Sequence, residues 1–302
     1  MRIFRNFEEA RIIRNPVVTT GSFDGVHIGH KAILARLNML AEKYDGESVL
    51  ITFDPHPRKV LYPETAGKDL KLIYSQEEKL DLLEKAGLRN VIIVNFTIGF
   101  SKTTSEEFVK KYLHDILHAR VVVVGFNHHF GFNKEGDYKH LWNWREKYEF
   151  EAEEIPEQEV YNETVSSTRI RQAISEGYIQ RANAYLDHYY RITGPAEHFS
   201  TIAGFPELHQ VGISEESKLI PVPGIYAISI GSVNGQSKGM AITVKEDSRT
   251  KVLVHSFDSK IQEGEKITLY FHKKIHAAVN MEDPVTASKI SHAMEDISEL
   301  IY

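Results

Sequence analysis

His27 and His30 stand three residues apart at the end of a glycine-spaced run, Gly21-Ser22-Phe23-Asp24-Gly25-Val26-His27-Ile28-Gly29-His30. Imidazoles at that spacing in the first turn of a helix reach one side together. Neutral or protonated, each can donate a hydrogen bond to a phosphate oxygen and stabilise charge that develops during phosphoryl transfer. Gly21, Gly25 and Gly29 permit close backbone approach, and a helix N-terminus turns its N–H groups toward an anion. A strand, a glycine turn and a helix follow one another in many α/β domains. Phe-Asp-Gly directly ahead of His27, after an apolar strand, takes this stretch beyond that common grammar. Asp24 has two readings, a turn residue capping the loop or a group that orients a histidine.

Three further stretches carry chemistry-bearing residues. Ser166, Ser167 and Thr168 are hydroxyls at a helix start, with Arg169 and Arg171 in its first turn. Capping accounts for the hydroxyls, but cations in a first turn oppose the helix dipole, so contact with a bound anion fits better than a solvated structural role. Asp54-Pro55-His56-Pro57 holds two fixed φ angles. It presents a rigid wall to a planar ligand, or simply turns the chain at a sheet edge. Asn127 opens Asn127-His128-His129-Phe130-Gly131, where an Asx turn is one reading.

Apolar strands must position these loops. Strands are expected at 17–20, 48–53, 91–96, 120–124 and 150–155, with helices over 31–44, from Ser75 to about 85, and over 105–117, 142–148 and 167–176. Residues 1–15 read as a short helix or strand leading into Pro16. Strands buried on both faces and alternating with helices predict a parallel sheet covered on both sides. The loops at 21–30, 54–58 and 125–137 all follow strands, and ligands on such sheets bind at the carboxyl ends, so the three should line one rim.

After Tyr190 the pattern changes. Runs at 225–230, 240–245, 251–257 and 266–272 predict an antiparallel β domain, closed by an amphipathic helix at 285–300. The division expected is 1–186 and 187–302.

The 302-residue chain is 42% hydrophobic and 26% charged, ordinary proportions for a soluble globular protein. A net charge of −6 argues against nucleic-acid binding through a basic surface. The absence of cysteine excludes disulfides, thiolate catalysis and Cys-type zinc sites, and fits a reducing cytoplasm. The first ten residues have scattered charges and no apolar segment, unlike a signal peptide, and no run reaches the about 20 apolar residues of a membrane span. The 15 histidines are dispersed and argue for no metal site by number.

Taken together, Gly21 to His30 resembles the signature of the FAD synthetase (FMN adenylyltransferase) module of bacterial bifunctional riboflavin kinase/FAD synthetases, members of the HxGH nucleotidyltransferase superfamily. Thr52-Phe53-Asp54-Pro55-His56-Pro57 resembles the family's loop after its second strand. Val124 to Gly131, with Gly136-Asp137 following, resembles the loop holding its Asp/Asn-Phe-x-Phe-Gly element. Val165-Ser166-Ser167-Thr168-Arg169-Ile170-Arg171 is similar to its Ser-Ser-Thr-x-Ile-Arg element. The resemblance covers 1–186 and implies a Rossmann-like nucleotidyltransferase domain followed by a smaller β-barrel. It implies ATP and FMN as substrates, with Mg²⁺ bridging the leaving polyphosphate. His27, His30, Asn127 and Arg171 are implied as catalytic, with Asn127 serving the nucleotide phosphates or the metal. Gly21, Ser22, Phe23, Asp24, Gly29, Ser166, Ser167 and Thr168 are implied at ATP. Asp54, Pro55, His56, Pro57 and Phe130 are implied at FMN. One departure is His128, directly after Asn127, although Phe130 is kept; it bears on flavin stacking. Other nucleotidyl transfer within the superfamily and a non-catalytic flavin or nucleotide binder are the competing expectations.

The second domain resembles a riboflavin kinase barrel in scaffold, at Gly204-Phe205-Pro206 and Pro223-Gly224-Ile225-Tyr226-Ala227-Ile228. The family's Thr-Ala-Asn, which serves Mg²⁺ and ATP, here reads Glu207-Leu208-His209, and its glycine- and basic-rich phosphate loop is replaced by residues 196–203. The family's catalytic glutamate aligns near Lys251, although a shifted alignment would offer Glu246. A carboxylate beside polyphosphate adds repulsion, and a charged lysine accepts no proton. The expectation is a barrel that folds but does not phosphorylate riboflavin.

Overall fold

In the computed structural model, which describes residues 1–160, 163–199, 207–233, 235–246, 249–278 and 285–300, the elements alternate as the sequence patterning requires. They are β1 (Arg2–Phe4), β2 (Pro16–Thr20), α1 (Ile28–Lys43), β3 (Glu47–Asp54), α2 (Pro57–Leu61), α3 (Gln76–Lys85), β4 (Asn90–Asn95), α4 (Ser105–Glu107) and β5 (Val121–Gly125). There follow α5 (Tyr138–Trp144), β6 (Glu151–Ile155), the short β7 (Glu159–Val160) and β8 (Glu163–Thr164), α6 (Ser167–Glu176) and α7 (Ile179–Leu186). The last part holds β9 (Tyr190–His198), β10 (His209–Val211), β11 (Gly224–Ser232), β12 (Gly235–Glu246), β13 (Arg249–Ser256), β14 (Lys266–Ala277) and α8 (Val285–Glu299). Two compact units result, Met1–Leu70 with Lys79–Val165, and Lys71–Glu78 with Ser166–Tyr302. Among the described residues no helix is long and apolar enough to cross a membrane.

The first unit is a parallel six-stranded sheet in the order β1-β4-β3-β2-β5-β6. Side chains alternate along each strand, so one apolar run feeds two cores. Val17, Leu50, Val91 and Val123 pack against Leu34, Leu37 and Leu40 of α1 and Leu83 of α3. Val18, Val49, Ile92 and Val122 face Phe108, Val109, Leu113 and Ile116 on the other side. The chain runs outward from β2 to β3 and β4 in one direction, and reaches β5 and β6 in the other. The strand order therefore reverses between β2 and β5, and such a switch point opens a crevice at the carboxyl ends.

The second unit contains a closed antiparallel barrel, β10-β13-β12-β11-β14-β9, sealed by pairing of β9 with β10. From Gly224 to Ile230, β11 is buried without interruption. Its Ile225 and Ala227 pack with Met240, Ile242 and Leu253 and with Ile290, Ala293 and Ile297 of α8. Segment 71–78 is built into this unit through an ion pair, Lys218 Nζ to Glu78 Oε2 at 2.7 Å, with both side chains 2% exposed. Glu78 also accepts from the N–H groups of Ser75 and Thr193, while Lys218 donates to the carbonyls of Ile73 and Arg191.

Several elements differ from the sequence expectation for local reasons. The helix expected at 142–148 begins at Tyr138, because Asp137 caps it by accepting from His140 N at 3.0 Å. The helix expected over 105–117 keeps one α turn and then widens to a π-helix over Phe108–Ile116. The patterning did not indicate α7, β9 or β10. Residues 1–15 hold both a strand, β1, and a 3₁₀ turn at Glu9–Ile12. The Gly204-Phe205-Pro206 stretch and residues 200–203 lie outside the described residues.

Candidate active site

The loop from Gly21 to His27 begins where β2, buried along its whole length, ends in the middle of the sheet. It closes with unusual backbone: Phe23 and Val26 have φ of 47° and 42°, and Gly25 has 95°. For the β-branched Val26 that conformation is strained, and strain of this kind concentrates at functional loops. The turn delivers His27 as the N-cap of α1 in an extended conformation, its carbonyl accepting from Lys31 N at 2.9 Å.

Three rings then stack. His30 lies 4.3 Å from Phe23 and 3.7 Å from His27, centroid to centroid, with interplanar angles of 21° and 20°. Gly29 makes room for the stack: a Cβ there would meet His27 Cε1 and Nδ1 at 3.3 Å. Burial, then the neighbouring His27 and Lys79, hold the His30 pKa well below 6.5. His30 is therefore a neutral imidazole at pH 7, able to donate through one nitrogen. Its Nδ1 is buried without a hydrogen-bond partner among the described residues.

These residues line a cavity of about 300 Å³ at the switch point. Thr20, Gly21, Ser22 and Phe23 come from the end of β2, and His27, Gly29, His30 and Ile33 from α1. Gly125 to His128 come from the end of β5, and 155–158 from the end of β6, with Thr164 and Val165 beyond. Asn127 is exposed on this wall with a left-handed φ of 59°, and burial beside His129 lowers His128 to a pKa of about 4. The loop carrying them is pinned to α4. Glu135 Oε1 accepts from Ser105 N and Oγ at 2.8 and 3.1 Å, and Gly131 and Gly136 press so closely that a Cβ would overlap Ser105.

The cavity gathers Gly21, Ser22, Phe23, His27, Gly29, His30 and Asn127. Asp24 is buried in the turn but is not among the lining residues. Asp54 ends β3, and Pro55, His56 and Pro57 follow it; all four lie outside the cavity lining. There His56 Nδ1 accepts from Arg58 N at 3.2 Å and caps α2, which begins at Pro57. Phe130 is half-buried, 6.0 Å from the Phe108 ring and 6.1 Å from His128. Ser166, Ser167, Thr168 and Arg171 belong to the second unit. Ser166 Oγ caps α6 by accepting from Arg169 N, Gly177 ends the helix at φ 86°, and Arg171 Nε donates to Lys71 O at 2.9 Å.

Sequence reasoning missed Lys79. Its ammonium is buried and donates to Thr52 Oγ1 at 3.2 Å and to the Ser22 carbonyl at 3.4 Å. The available signal was its place on α3, one turn ahead of the fully buried Leu83, where a basic side chain lies on the apolar stripe.

A family model described as FAD synthetase matches residues 9–169. A Listeria monocytogenes protein described as bifunctional riboflavin kinase/FMN adenylyltransferase is 34% identical over 253 residues, spanning 81% of this chain and 78% of that one. A Buchnera aphidicola protein of the same description is 27% identical over 284 residues, with 91% and 90% spanned. Among solved structures, a Streptococcus pneumoniae chain described as a macrolide-efflux protein superposes with a TM-score of 0.88 over 99% of both chains. Its identity is 23%, so that likeness is one of fold alone.

Proposed function

The chain belongs to the FAD synthetase family, and on that premise we propose that it transfers the adenylyl group of ATP to the phosphate of FMN, giving FAD and pyrophosphate. The observation that carries the reading is the cavity at the β2/β5 switch point, where both histidines, the glycine turn and Asn127 meet. A phosphate oxygen of FMN attacks the α-phosphorus of ATP in line. Its bond to phosphorus forms as the bond to the bridging oxygen breaks, and pyrophosphate carries off the charge. A phosphate monoester is already ionised, so the site needs no strong base; its work is positioning and charge stabilisation. Neutral His30, and His27 beside it, donate to phosphate oxygens, and Gly21, Ser22, Phe23, Asp24 and Gly29 shape the turn around ATP.

From the resemblance we also read Ser166, Ser167, Thr168 and Arg171 as ATP phosphate ligands, and Asp54, Pro55, His56, Pro57 and Phe130 as bordering the flavin. Residues 1–186 are read as the adenylyltransferase module and 187–302 as the kinase-like one. Mg²⁺ suits the donor set: Asn127 and Glu157 offer oxygens at the cavity, and this ion commonly relies on few protein ligands plus substrate phosphates. When bound, it would neutralise the leaving polyphosphate. ATP, FMN and the lack of cysteine all suit a cytoplasmic enzyme. The barrel is read as having lost kinase activity, since by the resemblance Glu207-Leu208-His209 replaces the family's Thr-Ala-Asn, and Lys251, near which the family's catalytic glutamate aligns, is ion-paired with Glu246.

Purified protein with Mg-ATP and either FMN or riboflavin, followed by chromatography of the flavins, tests both parts. FAD from FMN alone is expected. Any FMN or FAD from riboflavin would overturn the kinase-loss reading, product formed only with CTP in place of ATP would overturn the choice of donor, and product formed only on another phosphorylated acceptor would overturn the flavin reading. His30→Ala should cost about 2–3 kcal/mol of transition-state stabilisation.

A further inference from the structure

Lys79 is 7% exposed, yet it carries an ammonium into the base of the first unit. It reaches two points at once, the Ser22 carbonyl in the turn after β2 and the Thr52 hydroxyl on β3. Folding alone does not call for a cation here. A methionine would fill much of the same volume next to Leu83 without stripping a charge of its water. What the cation adds is a positive potential behind the turn and a tether on the Ser22 carbonyl. Ser22 lines the cavity together with His27 and His30.

Resting on the adenylyl-transfer reading above, we propose that Lys79 is a positioning residue: from behind the turn after β2 it fixes the Ser22 carbonyl and holds a positive charge behind the phosphate-facing histidines. The arrangement separates two tasks. His30 remains a neutral donor at the cavity, while an anionic polyphosphate still meets a favourable field from a charge that it does not touch. The charged and titratable groups around His30 agree with this division. His27 is stacked on it, Asp24 is buried in the same turn, and Lys79 acts from α3 in the direction that keeps the ring uncharged.

The test uses the full chain as Lys79→Gln, Lys79→Met and Lys79→Arg. Glutamine keeps an amide donor without charge, methionine keeps the stem alone, and arginine restores the cation. Inorganic pyrophosphate is the calorimetric probe, and the His30 imidazole is followed by NMR through a pH titration. Both neutral variants should bind pyrophosphate about tenfold more weakly at low salt, the scale of one nearby charge at an effective dielectric of about 20. Their His30 midpoint should rise, whereas Lys79→Arg should stay within about threefold of the parent on binding and leave the midpoint in place. In turnover, the KM for ATP should rise more than kcat falls.

Unchanged pyrophosphate binding in a folded neutral variant, or an unmoved His30 midpoint, overturns the proposal. Failure of the parent protein to bind pyrophosphate overturns it as well. Pyrophosphate binding and the His30 shift with no FAD formed would instead refute the flavin reading and leave the role of Lys79 standing. If Lys79→Met does not fold, Lys79→Gln decides the matter by the same two readouts.

Discussion

Gly29→Ala should separate stability from turnover. Gly29 lies one residue inside α1, and its φ is outside the left-handed region, so the backbone accepts alanine there. Alanine in place of glycine favours a helix by up to about 1 kcal/mol in an interior position and by less in a first turn. Against that gain stands one contact. The new Cβ would lie 3.3 Å from His27 Cε1 and Nδ1, just inside ordinary van der Waals distance, which begins at 3.4 Å. The ring must give by a few tenths of an ångström, and His30 stacks on it 3.7 Å away, so both imidazoles move. Misplacement of about 1 Å can cost about 100-fold in rate, so a shift of a few tenths should cost several-fold to about tenfold in kcat. The expected result is therefore a protein no less stable than the parent and about tenfold slower in forming FAD from FMN. Thermal melting and steady-state kinetics read the two effects independently. Parent-like turnover would show that the stacked geometry is not what catalysis requires. A loss of more than about 2 kcal/mol in stability would show that the space beside His27 has been misjudged.

Lys218→Met should destabilise the second unit by about 3–5 kcal/mol, because it leaves Glu78 ionised and buried with only its N–H donors. Denaturant melts would measure this, and pairing it with Glu78→Gln should recover part of the loss; independent, additive effects would refute the coupling. A second expectation concerns pH. His128 and His272 are held near pKa 4 by burial, against an ordinary 6.5. Below about pH 6.5 the unfolded chain takes up protons that the folded chain refuses, so this contribution to stability is full above that pH and declines toward pH 4. Urea melts at pH 7.0 and 5.5 should show the fall, and His128→Gln should flatten part of it in the first unit.

The parallel sheet and the loops on its rim were legible because strands buried on both faces leave continuous runs such as Val121–Gly125, and because glycines and histidines mark the turn after β2. The second half was harder to read. In β9, Tyr190–His198, a glycine and a proline interrupt the run, and its burial depends on pairing with β14, far away in sequence. β10 has only three residues and no local signature at all. At the cavity, Gly21 to His30 could be recognised from residue type, whereas Lys79 could not. A lysine three residues after Gln76 reads as a solvated position until the fold shows that Leu83, one turn on, is completely buried. The role of His56 was also set by local geometry, which enlisted its ring as a helix cap.

The reversal of strand order at β2 has a consequence for how the first unit assembles. Val17 and Val18 pair with Val121 and Val122, about a hundred positions along the chain, and the two walls of the cavity face each other only across that seam. Joining parallel strands so distant closes a long loop before any contact rewards it, which makes this pairing a slow step. The cavity therefore does not exist in a half-assembled sheet. A nucleotide held there would act as a clasp across the two halves, and its binding energy would resist opening of the seam itself. Amide exchange along β2 and β5 would then slow together when ligand is present, including at strand positions that do not line the cavity.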